Sequence, residues 1–181
     1  MTVVQYQNSI SLYQSSVPVF ERALSAFLPI IDKAAAHAVA HKVDPSVYLA
    51  TRLRPDMLPF VRQTQIFCDG AKNASARLAN VEPPKMEDTE ASFDDIKARI
   101  QKTLDFIKTV KAAEIDAAAD REVIFPVGPN KMKMKGGDYL LHFALPNFYF
   151  HLTTAYALLR FNGVDVVKRD FLGAIPAIAP V

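Results

Sequence analysis

Few residues in this chain have side chains suited to chemistry: four histidines, one cysteine and a scatter of carboxylates and amides. Asn147 and His151 lie four apart in Leu145-Pro146-Asn147-Phe148-Tyr149-Phe150-His151, so on a helix they stack on one side. Thr154 continues that side, while His142 falls on a different face. In an earlier stripe, Leu58, Val61, Gln65, Cys68 or Asp69, and Lys72, the polar pair Gln65 and Asp69 is again four apart. Packing the two helices together would line a cavity with Gln65, Asp69, Asn147 and His151. An imidazole there can act as an acid or base near neutral pH. His151 is therefore the candidate catalytic residue, with Gln65, Asp69, Asn147, His142 and Thr154 as pocket groups. The same letters also allow a buried histidine satisfied by a neighbouring oxygen, or a metal ligand.

A strong first-row metal site on this helix would need His-x-x-x-His and a third ligand elsewhere. Here Asn147 takes the first position, and its amide is a poor ligand, so neither metal nor cofactor is expected. His37 and His41 do keep the spacing, but they sit near a helix end, where cations suit the dipole, and read as a solvated face. Cys68 has largely apolar neighbours, whereas a catalytic thiol needs a cation or base beside it. The chain has no glycine-rich phosphate loop, nucleophile elbow or paired catalytic acids. Lys131, Lys133 and Lys135 alternate with Met132 and Met134, as on the wet side of a strand, and no nucleic-acid partner is expected.

Apolar stripes must position these groups. Val17, Phe20, Leu24, Phe27, Ile31, Ala34 and Ala38 recur at three- and four-residue steps and predict a long first helix, kinked near Phe27 by Pro29. Asp44-Pro45 opens a short turn or helix through Leu53. Asp56 reads as the cap of a second long helix, with Pro59 early in it and Asn80 at its end. Residues 81–91 form a loop. Ser92 with Asp95 resembles a capping box ahead of the stripe Phe93, Ile96, Ile100, Leu104 and Ile107. Residues 121–127 and 131–135 alternate around Gly128-Pro129-Asn130 and predict a two-stranded hairpin. Gly136-Gly137-Asp138 then starts a last helix, Tyr139 to Asn162, with Gly163 as its stop.

The 181 residues suit one domain, residues 1–173, followed by a tail, 174–181. A net charge of +2 gives no footprint for nucleic acid, and a single cysteine cannot form an internal disulfide. Residues 1–14 lack the pattern of a secretory signal, which places the expected location in the cytoplasm. Residues 139–159 carry no charge and are long enough to cross a bilayer, but His142, Pro146, Asn147, His151, Thr153 and Thr154 argue against insertion. A helix apolar on both sides suits the middle of a soluble bundle or a subunit contact. A homodimer with a small-molecule ligand and no membrane partner is expected. The predicted class is all-α: a four-helix bundle closed by a long crossover, with a small hairpin before the last helix.

Several strings resemble a known family. They are Arg54-Pro55-Asp56-Met57-Leu58-Pro59, Arg62-Gln63 with Gln65, Ala76-Arg77-Leu78-Ala79, Glu87-Asp88-Thr89-Glu90, Asp138 through His151, Arg160 through Val164 and Lys168 through Gly173. Together they resemble the domain-of-unknown-function family numbered nineteen ninety-three, over roughly residues 10 to 173. That family is similar in fold to the DinB/YfiT-like bundles, many of which hold a divalent metal through three histidines and act as thiol transferases or hydrolases. The resemblance implies a second-helix ligand near Gln65 and a His-x-x-x-His pair near Asn147 and His151. Only His151 matches. It therefore implies the fold and a pocket location more than an activity.

Overall fold

Burial follows the apolar stripes. In the computed structural model, which describes residues 10–176, helix α1 (Val17–His41) buries Phe20, Leu24, Phe27, Ile31, Ala34 and Ala38. Pro18 sits in the first turn, where its missing N–H has no partner to lose. The helix runs on through Pro29, which lies on the exposed side. Lys42 ends it in the left-handed region at φ 56°, its N–H returning to the carbonyls of Ala38 and Val39. Among the described residues, α1 is the helix long and apolar enough to cross a bilayer. Here Phe20, Leu24, Phe27 and Ile30 are fully covered by protein instead.

Asp44 caps α2 (Pro45–Ala50), its carboxylate accepting the Ser46 N–H at 2.8 Å. Helix α3 (Phe60–Ala79) starts later than expected. Pro59, not Asp56, is its N-cap, and Asp56 pairs with Arg54 in the exposed connection. A proline disfavours helical backbone at the residue before it, so the helix cannot form through Leu58. Helix α4 (Phe93–Ile107) opens on a Ser92 cap that Asp95 braces from one residue further back than a capping box would. Ser92 Oγ accepts the Asp95 N–H at 3.1 Å, and the Asp95 carboxylate accepts the Ala91 N–H at 3.0 Å.

After α5 (Ala112–Asp116), strands β1 (Glu122–Val127) and β2 (Asn130–Lys135) pair antiparallel, with Val123 opposite Met134 and Phe125 opposite Met132. Val123 and Phe125 face inward, and the Phe125 ring lies 4.8 Å from Tyr139 and 4.6 Å from Phe143. The last long helix has three parts: α6 (Gly136–Tyr139), a π turn (Leu140–Ala144) and α7 (Leu145–Phe161). Pro146 has no N–H for the His142 carbonyl, and its ring crowds that carbonyl. The widened turn relieves the clash, and Leu145 N–H bonds five residues back to Leu140. A short α8 (Lys168–Leu172) closes the described chain against α1.

Contacts at either end of each helix pair give the directions. Lys97 pairs with Asp32 and Lys108 with Glu21, so α1 and α4 are antiparallel. Gln63 meets His151 and Arg77 meets Tyr139, so α3 and α7 are also antiparallel. Phe60 meets Phe93 edge-on while Asp69 bonds Arg99, so α3 and α4 run parallel. A 20-residue helix such as α3 is roughly 30 Å long, and the chain must return that distance before α4 begins. Residues 80–92 make this return and are the long crossover. Phe27–Phe67 at 5.1 Å and Phe20–Phe148 at 4.9 Å, both edge-on, join α1 to α3 and α7 in the core.

Gly136 marks where the hairpin re-enters the bundle. A Cβ placed there would lie 2.1 Å from the Ala118 carbonyl oxygen, whereas one at Gly137 would sit 3.5 Å from that of Ala119. Gly136→Ala is therefore expected to lower stability by about 1–3 kcal/mol through overpacking against backbone, with Gly137→Ala as the tolerated control. Urea denaturation of both variants checks this, and equal midpoints would contradict the close approach.

Candidate functional site

Helix α3 carries two glutamines near its start, and they do different jobs. Gln63 and Gln65 are two positions apart, which is roughly 200° around the helix. Gln63 points to α7, and its Oε1 lies 2.6 Å from His151 Nδ1. Its Nε2 donates to the Leu58 carbonyl at 3.1 Å. The second contact fixes the first, because a carbonyl can only accept, so the amide nitrogen must face Leu58 and the amide oxygen must face the ring. His151 Nδ1 then carries the proton. In the neutral ring Nε2 is left as a bare acceptor, and burial favours that neutral form by holding the pKa below the ordinary 6.5. The ring is half-buried and meets the exposed Phe150 edge-on at 5.1 Å.

Gln65 and Asp69 do not join His151, contrary to the expected cavity. Both face α4 and the returning segment. Arg99, whose side chain is 3% exposed, bonds Glu90 at 2.8 Å, Asp69 at 3.1 Å, Asp88 at 3.1 Å and the Glu87 carbonyl at 3.1 Å. Gln65 Nε2 donates to Glu90 at 2.6 Å, Lys72 meets Asp69 at 2.9 Å, and Arg62 pairs with Asp88. Three cations and three carboxylates therefore interlock, with Arg99 at the centre. Three elements meet on one guanidinium: α3, α4 and the crossover. This is a structural clamp.

The other candidates disperse. Thr154 is buried and donates to the Phe150 carbonyl at 2.7 Å, so its hydroxyl is satisfied within α7. Asn147 is half-buried one turn before His151, and His142 is exposed in the π turn. His151, Asn147 and Gln63 line none of the five clearest concavities among the described residues. Cys68 is fully buried, and burial pushes its thiol up to about 12, so it is no nucleophile at neutral pH. His37 Nδ1 lies 2.8 Å from the Tyr48 hydroxyl, tying α2 to the end of α1, and His41 Nδ1 lies 2.9 Å from the His37 carbonyl within α1. The α3 partner of His151 is Gln63, two residues before the expected Gln65. The signal that identifies Gln63 is its place on the apolar stripe Phe60, Phe67, Ala71, Ala74 and Leu78, the side of α3 that enters the core.

A bundle of α1, α3, α4 and α7 with a hairpin ahead of the last helix, and a histidine on that helix facing the second, defines a DinB-like helical protein. The crystal structure of a DinB family member protein from Shewanella denitrificans is similar at 38% identity and a TM-score of 0.86, over 93% of this chain and 96% of that one. The chain belongs to the family described as Domain of unknown function (DUF1993), whose model matches residues 12–172. No curated protein matches it. The three-histidine metal set implied by the DinB-like fold does not fit the residues present. Among the described residues no three His, Cys, Asp or Glu side chains are grouped to hold a metal ion. Around His151 the neighbours are amides, and the Gln63 oxygen already takes the ring proton.

Removing Arg99 tests the clamp. Arg99→Leu leaves Glu90, which is 8% exposed, with only the Gln65 amide. The loss expected for breaking such a buried pair is about 3–5 kcal/mol in chemical denaturation. A loss under about 1 kcal/mol would show the cluster to be solvated and dispensable.

Proposed function

We propose that the protein is a small-molecule binder or acid–base enzyme that uses His151, on the α3–α7 seam, without a three-histidine metal site. The observation carrying this reading is the Gln63–His151 contact at 2.6 Å. It selects one tautomer and leaves Nε2 free to accept a hydrogen bond or a proton from a ligand. Burial supports the same role, since a ring kept neutral at pH 7 is the form that works as a base. Gln63 is a positioning residue, acting through the ring it orients. The proposed setting is the cytoplasm, consistent with a free, buried thiol at Cys68.

Nitrogen NMR of the imidazole provides the test. The neutral ring is expected as the Nδ1–H tautomer, and Gln63→Leu is expected to mix the two tautomers. Fragments whose binding shifts the ring signals should lose roughly tenfold in affinity, about 1.4 kcal/mol, in His151→Ala. Unchanged binding in that variant would overturn the assignment. The pH dependence has a definite sign. The unfolded chain takes up a proton near 6.5 while the folded ring resists it to lower pH, so the unfolded state binds more protons in that window. Stability should therefore fall as pH drops below 6.5 and level off once the folded ring also protonates. His151→Gln should flatten that part of the profile.

A second reading concerns assembly and rests on a separate observation. Phe150 is 58% exposed and Phe161 71% exposed, and they lie three turns apart on one side of α7. We propose that this side pairs with its copy in a homodimer, next to His151. Light scattering at micromolar concentration should give a dimer mass, and Phe150→Asp with Phe161→Asp should give a monomer. A monomeric parent protein would remove the proposal.

A further inference from the structure

Far from His151, at the other end of α3, a concavity of about 550 Å³ opens between the C-terminal turn of α3, the start of the crossover and β1. Its volume lies in the range of small-molecule sites. Two half-buried arginines line it, Arg77 and Arg121, and among the described residues their bonds go to neutral oxygens. Arg77 Nη1 donates to the Tyr139 hydroxyl at 3.0 Å, and Arg121 Nη2 donates to the carbonyls of Arg77 and Leu78, both at 2.8 Å. Each guanidinium is thus held by one nitrogen and keeps further N–H donors. This differs from Arg99, whose charge is consumed by carboxylates. Asn73 and Asn80 bring amides to the same wall, each able to donate. Of the two carboxylates at the site, Glu122 is ion-paired with Lys133 at 2.8 Å, and Glu82 is exposed. Val81 and Ile124 offer apolar surface beside them, 41% and 59% exposed.

We infer that this concavity binds a small organic anion, with a phosphate or carboxylate head against Arg77 and Arg121 and an apolar body over Val81 and Ile124. Planar guanidiniums with free donors match the oxygens of either head group. The exposed apolar side chains gain from being covered. The site is independent of the His151 reading.

Phenyl phosphate and benzoate share one ring and carry the two head groups, and inorganic phosphate carries a head alone. In titrations at low salt, followed by backbone amide NMR, at least one ring-bearing probe should shift Asn73, Asn80 and Ile124 saturably. The probe that saturates first identifies the head, and inorganic phosphate should bind more weakly than phenyl phosphate if that head is phosphate. Arg77→Met also strips Tyr139 of a partner, so Asn73→Asp is the safer variant. It introduces a like charge on the helix surface and should weaken binding roughly fivefold, while Glu82→Gln should strengthen it roughly twofold. Absence of saturation with both ring probes, or affinities unchanged in both variants, would overturn the proposal.

Discussion

The fold depends on one buried guanidinium. Helices α3 and α4 lie parallel, an arrangement that a short loop cannot produce, so the chain must travel back along the bundle before α4 can start. An extended return segment has little secondary structure to hold it. Arg99 supplies what is missing, because its planar fork reaches Asp69 on α3 and Glu87, Asp88 and Glu90 on the crossover while rooted in α4. A buried cation is tolerable only when paired and hydrogen-bonded. The acids that surround it supply that pairing.

That commitment also orients the rest of α3. Once Gln65 and Asp69 face the clamp, the helix must present Gln63 to α7 and Arg77 to Tyr139. The antiparallel seam between α3 and α7 is then stitched at both ends by polar contacts, with Phe67 and Phe148 between them. One stitch sets the tautomer of His151. The other lies beside the two arginines whose donors are not used up. The two ends of one helix thus carry different chemistry: an amide-oriented imidazole at the first, a cationic concavity at the last.

The helices were legible because their signals are local. The stripes of α1 and α4, the Asp44 and Ser92 caps, the stop at Asn80 and the alternating hairpin all depend on neighbours within a few residues, and the structure has them where the letters predict. Errors came at places where prolines act on their surroundings. Pro59 delays α3 to Phe60, and Pro146 opens a π turn in what reads as one continuous helix. The Asn147–His151 spacing was also legible. Its partner was not, because the neighbour that each side of α3 meets is set by the distant Arg99, which takes Gln65 and Asp69 and leaves Gln63 to α7.

By itself the sequence determined that this chain forms long amphipathic helices with a hairpin before the last, that its lone cysteine has no internal disulfide, and that one histidine shares a helix side with an asparagine. Those properties reside in residue types and short spacings. Only the tertiary structure decided that Gln63 and not Gln65 reaches His151, that Asp69 belongs to Arg99, and that Arg77 and Arg121 share a concavity. Each of these joins residues distant in the chain. Their meeting depends on helix rotation and direction, which are set by packing and buried charge rather than by local propensity.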